Sequence, residues 1–243
     1  MSATRRAVSP VGRLLFRPVP PPIVIFALLF GAASAAFLPT AARRLAVRHG
    51  APPLQACPHC QKLYPAWVRV GPPCRCERTS SSIVAVGGAT AAILAAAIGP
   101  SPLLPVYLLA TIPALLLAAI DLRCLRLPDR IVGALALIGV VPSAVLRPDL
   151  IWPAFVAGGV VLTAYGTLAL LPGNGLGLGD VKLAAVLAVI LGFAGWPAVI
   201  VGVLAPHLIN GPIALALLVR GRRTPVAFGP ALLAGALIAI TAT

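Results

Sequence analysis

Acidic residues are nearly absent from this chain: five in 243 positions, against 19 Lys and Arg. Charge of either sign is scarce, at 10% of residues, and 60% are hydrophobic. A soluble globular domain carries about 25% charged residues, so that class is excluded. There is no Asn-x-Ser/Thr sequon, so glycosylation gives no clue to sidedness. No long internal repeat occurs, and no Gly-x-Gly-x-x-Gly follows a strand-like run, which excludes a phosphate loop of that kind. The net charge of +14 is spread in short groups between apolar runs, without a basic stripe or interleaved aromatics, so nucleic acid is not an expected partner.

What is present is a series of apolar runs, with a mean hydropathy of +1.02. They predict an all-α integral membrane protein, a polytopic bundle of about eight transmembrane helices in contact with the lipid bilayer. The expected spans are residues 23–38, 83–99, 103–120, 131–146, 151–171, 183–194, 196–219 and 229–242. A helix of 12 residues, at about 1.5 Å per residue, reaches roughly halfway across a hydrocarbon core of about 30 Å, so the sixth is short. The chain divides into an N-terminal tail (1–22), a first helix (23–39), a polar cysteine-bearing loop (40–82) and a membrane domain (83–243). The first run, behind Arg5, Arg6, Arg13 and Arg17 and with Ser34-Ala35-Ala36 at its end, reads as a retained span or as a cleaved signal peptide, with the span favoured.

Basic residues set the expected orientation. With 40–82 cytoplasmic, 14 Lys and Arg fall inside and five outside, the five being Arg147 and the four of the tail. The positive-inside rule favours this arrangement. Arg outnumbers Lys 17 to 2, and Ala and Pro abound, as in proteins of GC-rich bacterial genomes. The expected location is a bacterial inner membrane.

Five acids can be sorted one by one. Glu77 lies in the polar loop. Asp149, before the span at 151, and Asp129, after Pro128, read as helix N-caps. Asp121 and Asp180 remain, each at the edge of a span, where a charged group costs free energy and marks a candidate site. The structural alternative pairs Asp121 with Arg123 or Arg126, and Asp180 with Lys182. Against it, Asp121 ends a helix, where the macrodipole disfavours an anion. Two close carboxyls share one proton, so one can act as base and the other as acid, which suffices to hydrolyse a peptide without a metal or a covalent intermediate.

Asp180 sits in Gly177-Leu178-Gly179-Asp180-Val181-Lys182-Leu183, and Asp121 in Ile120-Asp121-Leu122-Arg123, followed by Leu127-Pro128-Asp129. A third patch, Pro225-Val226-Ala227-Phe228-Gly229-Pro230, precedes the last span. In this order the three patches resemble those of the type IV prepilin peptidases, membrane aspartic proteases of the Gly-x-Gly-Asp group. That family has Pro-Phe-Gly-Pro at the third patch, where two residues separate Pro from Phe here. The resemblance covers roughly residues 83–243. It implies catalytic Asp121 and Asp180, no cofactor for proteolysis, and a prepilin or pseudopilin substrate cut after its basic leader, where its apolar helix begins. Nothing in the sequence sets the oligomeric state. A proton-coupled transporter would also place acids at span ends and break helices with glycine and proline.

Cys57-Pro58-His59-Cys60 and Cys74-Arg75-Cys76 oppose each other in the polar loop. Cys57, Cys60, Cys74 and Cys76 would supply four thiolates to a structural zinc ion, with His59 as a substitute ligand. The alternative is a loop of reduced or mutually oxidised thiols. In the resembling family a longer version of this segment belongs to an N-methyltransferase activity, which would make the protein bifunctional. The short spacing here argues against methylation. Cys124 reads as a small filler. His207 and Asn210, on one helix face beside Pro206 and Pro212, read as hydrogen-bonding groups within the bundle.

Overall fold

The computed structural model describes residues 19–47, 51–57, 60–61, 63, 80–171, 176–221 and 226–243. Among these residues the fold is all helical, apart from one isolated bridge between Ala56 and Leu63. The helices are α1 (Pro21–Ala36), α2 (Leu38–Leu45), α3 (Ser80–Ile98), α4 (Leu104–Cys124), α5 (Asp129–Leu146), α6 (Ile151–Leu170), α7 (Leu178–Gly192), α8 (Trp196–Val219) and α9 (Gly229–Ala242).

Six of the eight expected spans are long and apolar enough to cross a membrane: the α1–α2 segment, α3, α4, α5, α6 with its preceding turn, and α8. The protein is thus a multi-pass membrane bundle. α7 and α9 have 15 and 14 residues, about 21–23 Å at 1.5 Å per residue, which is short of a core of about 30 Å. α7 begins at Leu178, five residues before the apolar run at 183, so its first turn includes Asp180. α4 likewise continues beyond its expected end at 120 and takes in Asp121. Backbone hydrogen bonds do not need apolar side chains to propagate, so both helices outrun their hydrophobic stretches at the same end of the bundle.

α4 is the most buried of the long helices and packs against α2, α3, α5 and α9. α6 packs on α7 and α8 on α9. The main core runs through α3, α4, α5, α7 and α9, where Leu117, Leu135, Leu183 and Ala239 are almost wholly enclosed. A smaller cluster places Ala42 of α2 against Ala119 and Ile120, immediately before Asp121. α7 and α9 pack on each other, and α9 also touches α4. The consequence is positional: the end of α4 and the starts of α7 and α9 converge.

Candidate active site

α4 stops one turn after Asp121. Leu125 takes the left-handed conformation, with φ 52°, and its N–H donates to the Asp121 carbonyl at 2.8 Å. That cap turns the chain at once toward α5, whose N-cap is Pro128. Asp121 is only 4% exposed. A carboxylate in the last turn of a helix faces carbonyls with no intrahelical partner. The compensation comes from another helix: Gly229 N–H, the first amide of α9, donates to Asp121 Oδ2 at 2.9 Å. A Cβ added to Gly229 would lie 2.8 Å from that same oxygen, so the close approach requires glycine.

Asp180 comes from the first turn of α7, which follows the extended Gly177. Its Oδ1 is buried and has no hydrogen-bond partner among the described residues. The Lys182–Asp129 ion pair and the packing of Gly179 on Leu127 hold the start of α7 against the turn that follows α4, so Asp180 lies at the same end of the bundle as Asp121. Gly179 makes this approach possible, since a Cβ there would press on Leu127 Cβ at 3.1 Å. The Gly-x-Gly-Asp patch thus sets the start of α7 directly against the loop that leaves Asp121.

The other described acids behave differently. Asp129 is in the first turn of α5 and makes no cap bond, because Pro128 holds the cap position. Instead both its oxygens accept from Lys182 Nζ at 2.9 Å, tying the start of α5 to the start of α7. Lys182 is therefore committed to Asp129 and not to Asp180. Asp149 is likewise no cap for α6. It lies in a 3-10 turn, Pro148–Leu150, 3.8 Å from Arg147 Nε, while Leu150 occupies the cap position. Both expected caps are replaced by exposed ion pairs.

The segment that delivers Gly229 is held from both sides. Asn210 Nδ2 donates to the Ala227 carbonyl at 3.2 Å. The Phe228 ring lies against Tyr165 and His207, with centroids 6.5 Å and 5.5 Å away. His207 Nδ1 donates to the Val203 carbonyl at 2.8 Å, which fixes its ring relative to α8. His207 and Asn210 thus form bonds within the bundle, and they also brace the residues before α9. The sequence offered the pairing of the two polar residues on one helix face, but not their target.

Two of the four proposed zinc ligands lie beyond the described residues. Cys57 is buried and Cys60 exposed, on a turn closed by Gln61 N–H to the Cys57 carbonyl at 2.9 Å. Cys74, Cys76 and His59 are outside the described residues, and among those described no group of three or more candidate ligands occurs. Cys124 Sγ donates to the Ile120 carbonyl at 3.3 Å and has a packing role.

Chemically, the site offers one buried and one half-buried carboxyl in different settings. One is anchored by a backbone amide, and one has an oxygen without a donor. The sequence profile of the type IV leader peptidase family matches residues 108–240, more than half of the chain, and spans Asp121, Asp180 and Gly229. No curated protein and no solved structure matches the chain significantly.

Proposed function

Because the chain belongs to the type IV leader peptidase family, we propose that it is a membrane aspartic endopeptidase that removes the leader from type IV prepilins or pilin-like secretion proteins. Asp121 and Asp180 form its catalytic pair, at the cytoplasmic face of a bacterial inner membrane. The observation that carries this reading is the convergence of the two carboxyls at one end of the bundle, on the last turn of α4 and the first turn of α7, while the other described acids are exposed and ion-paired. The excess of basic residues in the loops at that end supports the orientation.

In this mechanism the pair holds one proton. The Gly229 amide makes Asp121 the better seat for negative charge. Asp180, whose buried Oδ1 has no donor, is the cheaper seat for the proton. Asp121 takes a proton from water as it attacks the scissile carbonyl, and Asp180 protonates the carbonyl oxygen. Collapse of the tetrahedral intermediate returns a proton to the leaving amine. The cysteine loop, with a structural zinc ion as its proposed ligand, takes no part in these steps.

The test is product identity. Purified protein incubated with a prepilin should yield one cut at the junction between leader and apolar helix, read by N-terminal sequencing of the mature product. Cuts scattered elsewhere, or none, would contradict the assignment.

A further inference from the structure

A cavity of 380 Å³ lies among α3, α4 and α9, with α5 and α7 behind it. It is almost wholly apolar, and its walls follow α4 and α9 for most of their length and α3 along its middle. On α4 the wall includes Tyr107, Ala110, Thr111, Ala114 and Ala118. These positions recur at three- and four-residue steps and form one helical stripe. Asp121 continues the stripe, three residues after Ala118 and seven after Ala114. On α9 the wall begins at Pro230, next to the Gly229 amide that holds Asp121. The cavity's lining thus reaches Ala118, Leu122 and Pro230, within a turn of Asp121 on α4 and next to Gly229 on α9, and it descends along α4 for about 16 Å from Ala118 to Tyr107, at about 1.5 Å per residue.

We infer that this cavity receives side chains from one face of the substrate's apolar helix, the segment that follows the scissile bond. The inference rests on the leader-peptidase reading of the Asp121 and Asp180 site. A helix that begins at the scissile bond must leave the aspartate pair and pass into the hydrocarbon. On another face of α4 that exit is closed, because Ala42 of α2 packs on Ala119 and Ile120. The side of Ala118 and Pro230 carries the cavity instead, lined as an apolar helix requires. Small Ala110, Ala114 and Ala118 at every fourth position let a second helix approach α4 closely. The volume suits a few large side chains of a docked face and not a whole helix, so the rest of the substrate remains in lipid. A pocket of this size lies within the usual range of about 300–1,000 Å³ for a specific site. Affinity for the substrate would then come from the apolar helix, and bond cleavage from the aspartate pair.

Filling the cavity tests this. The probe is a prepilin with a basic leader and an apolar helix of about 20 residues. Ala114→Phe and Ala234→Phe place a ring in the cavity at mid-depth, away from the aspartates. The expected result is a KM raised about tenfold or more, with kcat within about threefold of the unsubstituted enzyme. In a second arm, the photoreactive p-benzoylphenylalanine replaces Leu115, which lines the cavity, or Phe155, which is 53% exposed on α6. Both are made in an Asp180→Asn background so that substrate persists. Prepilin adducts should form at 115 and stay at background at 155. An unchanged KM in both filled variants, equal adducts at the two positions, or adducts with lipid alone at 115 would each overturn the inference. Normal cleavage with an unchanged KM would sink the cavity and leave the peptidase standing. An unsubstituted enzyme that leaves the prepilin intact would remove the peptidase reading, and this inference with it.

Discussion

Asp121 obtains from α9 what the end of its own helix denies it. The last turn of α4 presents carbonyls, and the Gly229 amide supplies the donor that makes a carboxylate tolerable there. Gly229→Ala should therefore be costly, because its Cβ would sit 2.8 Å from Oδ2. The expected loss is about 100-fold or more in turnover, together with about 1–3 kcal/mol of stability from overpacking. A cleavage assay and a thermal melt check both, and full turnover would contradict the role of the amide. The pair also predicts a bell-shaped pH–rate profile. Falling pH protonates both carboxyls and removes the base, whereas rising pH ionises both and removes the acid. A profile with no acidic limb would show that no carboxylate acts as base. Scarcity singled out Asp121 and Asp180 in the sequence as candidates, since each acid could be weighed individually. The Gly229 amide was not legible in that way, because a backbone N–H has no residue signature. Asp129 and Asp149 misled because capping preferences count residue type. They do not register that Pro128 and Leu150 hold the cap positions while Lys182 and Arg147 attract the carboxylates.

Among the elements, apolar runs located the long helices to within a few residues, and their failures share one cause. α4 and α7 extend by about a turn beyond their hydrophobic stretches, and those extra turns carry the two aspartates. α2 was not foreseen, because its eight residues include Arg43 and Arg44 and only one face is buried, through Leu38, Pro39 and Ala42. The cap of α4 was equally hidden, since leucine seldom adopts a left-handed conformation. Leu125 is 49% exposed and has φ 52°, so Leu125→Gly should relieve backbone strain at little packing cost. A gain of about 0.5–1 kcal/mol is expected, seen as a higher melting temperature with cleavage retained. A lower melting temperature would mean that the Leu125 side chain contributes more to packing than its conformation costs.

At the scale of the whole molecule, composition was enough to establish a polytopic α-helical membrane protein. Hydropathy does not encode which helices become neighbours, so the convergence of α4, α7 and α9 emerges only from their packing. Two short helices, α7 and α9, meet the longer α4 at one end of the bundle. Each contributes one part of the candidate site: Asp180, the Gly229 amide and Asp121 respectively. The family match runs from within α4 to within α9 and covers all three. The central claim is that both carboxyls are needed for cleavage. Its most direct measurement is leader removal from a prepilin co-expressed, in a host without its own peptidase, with the wild type, Asp121→Asn or Asp180→Asn. Asparagine preserves shape and retains an oxygen for the Gly229 amide, so insertion should be normal in all three. Cleavage by the wild type alone is the predicted result. A mature pilin in either Asn lane, at a rate near that of wild type, would contradict the account.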